Sequence, residues 1–365
     1  MVKKYNAISL FSGMGGDTLG MINAGCNVIG YSEINPVFCE THELNFKKCE
    51  LIGKDVKGNI VKTSDEEFEK YNKKVDIIFA GFPCQSFSNA GKKQPNDPRG
   101  QLFKEFVRAT KIIEPTLIIG ENVAGLLSRK TTTGEKFIDI IVEEFEKIGY
   151  EVIYDVFKLH EYGVPQERKR MLLIGVKKNN KLKWTPQFPE PLNTPVHLKD
   201  IVSYNMSGAV EVDEGIFENI PDECILTGDY YECDDPVHPY LLSKVDPKDT
   251  KTKTRDEQLS YDGKTYENLF SFGKRISPIH CEIVDIRKPS KTIICSYDHQ
   301  PRLYVPLKNE KGCFIRPFLV DELKQIQGFP KDFKMVGNWK QKVTQIGNAV
   351  PPQLICEAVK KIIKK

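Results

Sequence analysis

The sequence has no C-x-x-C pair, although it holds ten cysteines, at positions 26, 39, 49, 84, 224, 233, 281, 295, 313 and 356. Their wide, uneven spacing excludes the disulfide framework of a small secreted scaffold, so free thiols in a reducing cytosol are expected. No stretch approaches the ~18 apolar residues of a membrane span. The opening "MVKKYNAISLFSG" has a basic tip but too short an apolar run for a signal peptide. Internal repeats and low-complexity tracts are absent as well. Net charge is also scarce, with 53 Lys and Arg against 50 Asp and Glu, leaving +3. That balance permits a polyanionic partner only through a local basic surface.

What is present is a chain of 365 residues, 40% hydrophobic and 28% charged. This is enough for a packed core in one large domain, alone or with a smaller one. Up to residue 176, short apolar strands alternate with helical patterns. "NAISLF" (6–11), "NVIGYSE" (27–33), "YEVIYDVFKL" (150–159) and "RMLLIGV" (170–176) are expected strands. "VDIIFAGF" (75–82) and "PTLIIGEN" (115–122) are near-continuous apolar runs, as in central parallel strands covered on both faces. "DTLGMINAG" (17–25), "RGQLFKEFVRATKII" (99–113) and "EKFIDIIVEEFEKIG" (135–149) have helical spacing, the first closing on Gly25. The expected fold class is therefore α/β, a doubly wound, mostly parallel sheet. Residues 178–312 differ: rich in Lys, Asp, Pro, Tyr and Thr, with short β-like runs such as "KTIICSYD" (291–298), they suggest a second, β-containing domain. Helical periodicity resumes in "FLVDELKQIQGF" (318–329) and "PPQLICEAVKKIIKK" (351–365).

Five constellations have chemical potential. In "FSGMGGDTLG" (11–20) a strand runs into Gly13, Gly15 and Gly16 and then a helix, which either brings backbone close to a ligand or is a plain tight turn. Glu33 ends the next strand, where an acid hydrogen-bonds ribose hydroxyls in nucleoside-binding sheets. The next glycine after Gly16 is Gly20, so the dinucleotide G-x-G-x-x-G spacing is broken and a mononucleoside-like cofactor fits better than NAD. Asp55 in "GKDV" either receives an adenine amino group or is a turn acid. Cys84, in "GFPCQSFS" (81–88), sits just past an apolar strand, where ligands bind in open α/β sheets; it is either a nucleophile or a small packed hydrophobe. Glu121 in "GENV" ends the next strand, and a carboxylate there is costly to bury without a partner or a task. "QERKR" (166–170) sets Gln166, Arg168 and Arg170 on one face, as a guanidinium fork or as a solvated basic edge. "QIGNAVPP" (345–352) places Gly347 and Asn348 before the last helix, as a turn and N-cap or as part of a site.

Taken in order, "FSGMGG", "YSEINP", "GFPCQSFS", "ENV", "QERKR", "RPFLVDELKQIQGFP" (316–330) and "QIGNAVPP" resemble the cytosine-C5 DNA methyltransferase family of the bacterial restriction–modification type. The resemblance spans nearly the whole chain except residues 178–312. It implies the class I S-adenosylmethionine-dependent methyltransferase fold. A catalytic, cofactor-binding domain is expected over 1–186 with 345–365, a target-recognition domain over 187–315, and a connecting hinge over 316–344. S-adenosylmethionine is the implied cofactor, with no metal. Phe11, Gly13, Met14 and Gly16 would lie around its methionine and ribose, Glu33 on the ribose hydroxyls, and Ile34, Asp55 and Val56 on the adenine. Pro83, Leu102, Asn348 and Val350 would close the pocket. Cys84 is the implied nucleophile at C6 of cytosine, Glu121 the group on N3 and the exocyclic amine, and Arg168 the arginine on O2.

A target carbon inside a stacked duplex has to be flipped out. Loop 85–100, with Gln85, Ser88, Lys92 and Arg99, would then be a lid over double-stranded DNA, and Arg170 a further DNA contact; without the resemblance the loop is only a long polar surface segment. The basic runs "KVDPKDTKTKTR" (244–255), "GKRISP" (273–278) and "IRKPSKT" (286–292) suit phosphates or a solvated face. A cytoplasmic monomer is expected, in a bacterial cytosol or in the host of a virus that encodes it. A cognate endonuclease would share the site without stable contact. The competing readings are methylation of cytosine in tRNA and a catalytically silent DNA-binding homologue. Intact "PCQ", "ENV" and "QERKR" disfavour the second, and the glycine spacing disfavours an NAD-dependent oxidoreductase.

Overall fold

The computed structural model describes residues 4–83, 102–192, 194–245, 260–261, 264–265, 270–276 and 280–364. The chain divides into two compact units, Met1–Pro195 with Gly328–Gly337 and Asn348–Lys365, and Val196–Gln327 with Asn338–Gly347.

The first unit contains strands β1 (Asn6–Leu10), β2 (Asn27–Tyr31), β3 (Glu50–Leu51), β4 (Ile77–Ala80), β5 (Leu117–Val123), β6 (Tyr150–Lys158), the brief β7 (Gln166–Glu167) and β8 (Lys169–Lys177). Its helices include α1 (Gly16–Asn23), α2 (Pro36–Asn45), α3 (Asp65–Glu69), α4 (Phe103–Ile113), α5 (Phe137–Lys147) and the C-terminal helix Pro352–Ile363. Seven strands form one sheet in the order β3-β2-β1-β4-β5-β8-β6. The pairs from β3 to β5 are parallel, and β8 runs antiparallel to both β5 and β6. This is the mostly parallel, doubly wound sheet expected from the sequence. Every residue of β4 is buried, which is why its run is apolar without alternation. Ile8, Ile78 and Ile118 of the sheet join Phe106 and Phe145 of the helices in one core.

From β1 the chain passes outward to β2 on one side and later returns to β4 on the other, so strand order reverses between β1 and β4. Ligands bind outside the carboxyl ends of strands at such a reversal. The segments that follow those ends are 11–16 and 81–84. The end of the chain comes back to the same place. A Cβ on Gly16 would overlap the carbonyl oxygen of Val350, and one on Gly20 would meet the carbonyl oxygen of Pro352. Both glycines of α1 are therefore demanded by close backbone packing.

In the second unit the strands run in the order Phe270–Phe272, Cys281–Ile283, Leu303–Asn309, Gly312–Pro317 and Val210–Val212, with Leu226–Thr227 alongside Leu303–Asn309. Fully buried Arg316 is matched to Glu322, with Nη2 at 2.7 Å from Oε1 and Nη1 at 2.8 Å from Oε2, and it donates further to the carbonyls of Ser203, Asn205 and Pro317. Two local expectations are corrected here. "KTIICSYD" gives only the two-residue strand Ser290–Lys291 and then a 3-10 turn, Cys295–Asp298. Gly347 and Asn348 do not form a turn before the last helix; they end a helix of their own, Trp339–Asn348. A Cβ on Gly347 would meet the backbone of Cys295, so the glycine serves packing.

Candidate functional site

The turn after β1 is built from unusual backbone. Phe11 has φ +58°, a left-handed conformation rare for a residue with a side chain, and Gly13 and Gly15 have φ +57° and +95°. Hydrogen bonds to the end of β2 hold it. Ser12 N donates to Ser32 O at 2.9 Å, Phe11 N to Ser32 Oγ at 3.2 Å, and Gly13 N to Glu33 Oε2 at 2.9 Å. The other carboxylate oxygen of Glu33 accepts from Asn35 N at 2.8 Å. Burial pushes the Glu33 carboxyl up, and the backbone N–H groups of Asn35, Gly13 and Ile34 oppose that by stabilising the charge.

A Cβ on Gly13 would meet nothing within 4 Å, so space lies open above it. Ile34 is 63% exposed, an apolar side chain available to cover a flat ring. Asp55 and Val56 lie in the 3-10 turn Lys54–Val56, the first exposed and the second half-buried. Gly58 brings that turn against Glu33, because a Cβ there would overlap the Glu33 carbonyl. Gly81 packs on the other side, its Cβ position 3.4 Å from Val350 Cγ2 and 3.7 Å from the carbonyl of Phe11. Phe11, Gly13, Glu33, Gly81 and Val350 thus come together, with half-buried Pro83 two residues beyond Gly81. Leu102 is half-buried at the start of α4, and Asn348 is exposed.

Two of the residues expected around the cofactor, Met14 and Gly16, are buried. Met14 is 0% exposed and belongs to the core beneath the turn. Gly16 is buried against Val350, so its missing side chain makes room for protein and not for a ligand. Within the turn Phe11 and Gly13 are half-buried, Phe11 packing against the core, while Ser12, Met14 and Gly16 are buried.

At the carboxyl end of β5, Glu121 is 8% exposed and Arg170 of β8 reaches it, Nε to Oε1 at 2.6 Å. Antiparallel register explains the contact. Arg170 lies opposite Val123, two residues from Glu121 on the same face. Burial pushes the Glu121 carboxyl up, while Arg170 and then Arg168 pull it down. Burial likewise lowers Arg170, against the pull of Glu121. Arg168 itself is 2% exposed. Arg170, expected on DNA, is therefore engaged with Glu121, and the arginine expected on the base, Arg168, is the more deeply buried of the two.

Asn122, not singled out by sequence, donates from Nδ2 to the carbonyl of Phe82 at 3.2 Å. The β4–β5 backbone register continues to Ala80 and Gly120, and this side chain extends it two residues further. Cys84, Gln85, Ser88, Lys92 and Arg99 lie outside the described residues. So do residues 246–255 of the first basic run and residues 277 and 278 of the second. In the third run, Arg287 pairs with Glu223 at 2.7 Å and Asp285 at 2.9 Å, and Lys288 with Asp285 at 3.2 Å, so these charges are balanced within the protein.

The family model for C-5 cytosine-specific DNA methylase matches residues 5–364. The Type II methyltransferase M1.HphI of Haemophilus parahaemolyticus is 32% identical over 97% of this chain and 86% of its own length. The Type II methyltransferase M.FnuDI of Fusobacterium nucleatum is 31% identical over 97% and 93%. Among solved structures, a Spodoptera frugiperda DNMT2 variant superposes with a TM-score of 0.63 at 18% identity, covering 97% of this chain and 98% of that one. Entamoeba histolytica methyltransferase EhMeth gives 0.61 at 18%, covering 97% and 96%. At these identities the structural likeness speaks to the fold.

Proposed function

The chain belongs to the C-5 cytosine-specific DNA methylases and transfers a methyl group to C5 of cytosine in DNA; we propose that it does so with S-adenosylmethionine as donor, Cys84 as nucleophile and the Glu121–Arg170 pair as the clamp on the target base. The observation that carries this reading is the placement of that buried pair on β5 and β8, beside the strand ends that carry Glu33 and Pro83.

The residues at the turn fit the cofactor. Glu33 has a carboxylate positioned for ribose hydroxyls, Gly13 leaves open space, and Ile34 offers an uncovered apolar face to adenine. Asp55, Val56, Pro83, Leu102, Asn348 and Val350 complete the proposed seat. Bound there, S-adenosylmethionine supplies the electrophilic methyl group. The protein's task is to make C5 able to attack it. Cys84 adds as thiolate to C6, which turns the flipped cytosine ring into an enamine with a nucleophilic C5. Glu121, contacting N3 and the exocyclic amine, stabilises the charge that develops on the ring. After methylation a base removes the C5 proton, and elimination of the thiolate restores the ring. Arg170 touches Glu121 and is the less buried arginine, which favours it over Arg168 as the group on the base.

The names of the Type II relatives support a restriction–modification role, with a cognate endonuclease acting separately on the same sequence. Among the described residues no helix is long and apolar enough to cross a membrane, and we place the enzyme in the cytoplasm as a monomer. The test is transfer of tritiated methyl from S-adenosylmethionine to plasmid DNA and, in parallel, to tRNA, followed by bisulfite sequencing of the plasmid. Methylated cytosine in one plasmid sequence context is expected, and none with Cys84→Ser. Labelled tRNA with unlabelled DNA would overturn the substrate, and full activity of Cys84→Ser would overturn the covalent route.

A further inference from the structure

Behind the cofactor turn runs a line of five polar side chains, all buried: Ser9 of β1, Asp17 and Thr18 of α1, Ser12 of the turn and His42 of α2. Ser9 Oγ hydrogen-bonds Asp17 Oδ2, and Ser12 Oγ lies 3.2 Å from Asp17 Oδ1. Ser12 Oγ is also 3.2 Å from Thr18 Oγ1, which is 3.0 Å from His42 Nε2. The imidazole stacks on Tyr31 with ring centroids 3.7 Å apart, and its Nδ1 is buried with no hydrogen-bond partner among the described residues.

The direction of this line follows from counting protons. Burial holds His42 far below its ordinary range, at about 3, so the ring is neutral and carries one N–H. On Nδ1 that proton would be a buried donor with nothing to receive it. On Nε2 it is donated to Thr18 Oγ1. The Thr18 hydroxyl then donates to Ser12 Oγ, Ser12 donates to Asp17, and Ser9 donates to the other oxygen of Asp17. Above about pH 7, where Asp17 is ionised despite its burial, every hydrogen in the line points toward one carboxylate.

Ser12 is where this line meets the ligand side. Its neighbours Phe11 and Gly13 are half-buried, with open space beside Gly13, and its own N–H is fixed to Ser32. We propose that Asp17 is a positioning residue for the cofactor: as terminal acceptor of a one-way hydrogen-bond line from His42, it pins Ser12 and thereby aims Phe11 and Gly13 at the ligand. This rests on the reading of segment 11–16 as the seat of S-adenosylmethionine.

Asp17→Asn tests it, because the amide has nearly the same shape but is uncharged and keeps only one accepting oxygen, so Ser9 and Ser12 can no longer both donate to it. With Oδ1 toward Ser12 the line keeps its direction through a weaker, neutral acceptor; the opposite orientation would drive the imidazole proton onto Nδ1, where nothing among the described residues receives it. Two measurements on the full chain read this out, S-adenosylmethionine affinity by calorimetry at pH 8 and the His42 tautomer by long-range proton–nitrogen spectra. The wild-type protein should show the Nε2–H tautomer. Asp17→Asn should keep Nε2–H and bind about tenfold more weakly, the scale on which a hydrogen bond to a charged acceptor exceeds one to a neutral acceptor. Thr18→Val, which cuts the line at its middle and keeps its volume, should weaken binding in the same direction, and it serves if Asp17→Asn does not fold. Unchanged affinity in a folded variant, or an Nδ1–H tautomer in the wild type, would overturn the proposal. Absence of S-adenosylmethionine binding by the wild type would instead overturn the reading of the seat, and the tautomer would still report on the line itself.

Discussion

Arg170 Nε lies 2.6 Å from Glu121 Oε1, in a pair formed by the ends of two antiparallel strands and almost closed to solvent. Removing one partner of such a pair is worse than replacing both, because the remaining charge is left buried and unmatched. Arg170→Ala should therefore push the Glu121 carboxyl further up and lower kcat/KM by on the order of 100-fold or more, the range for a positioned acid or base. Its pH–rate profile should move to higher pH, because the carboxyl then ionises later. Arg170→Lys restores charge but not the planar donor, and should recover the pH profile more than the rate. Single-turnover methylation across pH 5 to 9 checks both.

Asn122 ties Phe82 to β5, two residues before the proposed nucleophile. Asn122→Ala should slow the covalent step by about tenfold through misplacement of the segment that leads to Cys84, while leaving affinity for DNA unchanged. Trapping with a 5-fluorocytosine duplex, timed against equilibrium binding of the same duplex, separates the two effects.

The two glycines of the turn should fail in different ways. Gly16→Ala drives a methyl group into the Val350 carbonyl and should cost ~1–3 kcal/mol of stability, read as a lower melting temperature. Gly13→Ala meets no atom, and its left-handed backbone adds only about 1 kcal/mol of strain, but the methyl group enters the proposed cofactor space. S-adenosylmethionine affinity should fall further for Gly13→Ala than for Gly16→Ala, with the melting temperatures in the opposite order.

Asp17 and His42 make opposing contributions to the dependence of stability on pH. Burial raises Asp17 from 3.8 to about 7, so its contribution is fully present below 3.8 and is lost as pH rises through 7. Burial lowers His42 from 6.5 to about 3, so its contribution is present above 6.5 and is lost as pH falls toward 3. Between about pH 4 and 6.5 the folded protein holds its proton on Asp17 and the unfolded chain holds one on His42, so the two slopes cancel. The other groups at hand are Cys49 and, opposite Gly20, Cys356, both thiols that burial pushes up and keeps neutral here, and Glu33, held on the far side by Gly13. Asp17→Asn should unmask the histidine and lose stability on acidification from pH 6.5 to 4.5. His42→Gln should gain stability over the same range. Urea unfolding at the two values measures each slope.

The sheet was legible because buried parallel strands are apolar without alternation, and both "DIIFA" and "LIIGE" read so. The positions of the glycine turn after β1, of Glu33 after β2 and of Glu121 in β5 were legible because each closes an apolar run. What could not be read was direction. Period two placed Arg168 and Arg170 on one face, and only the fold distinguishes the more buried from the one that meets Glu121. Nor could spacing tell that Met14 and Gly16 are buried while Phe11 and Gly13 are only half-buried. "WKQKVTQIGN" is polar and ends in Gly-Asn, so local chemistry spoke for a turn where packing of Gly347 against Cys295 secures a helix. Asn122 and Asp17 are ordinary polar residues in sequence, and their partners are distant or hidden until the chain is folded.

The return of residues 348–363 to α1 also governs how the enzyme comes into being. A ribosome makes α1 long before Val350, yet Gly16 and Gly20 are shaped for that later arrival. Until translation reaches Val350, the face of α1 that packs on it waits uncovered. A chain cut short upstream of Val350 lacks the backbone against which Gly16 and Gly20 pack. Contacts that join the two ends of a sequence also form late in folding, since the loop between them has to close first.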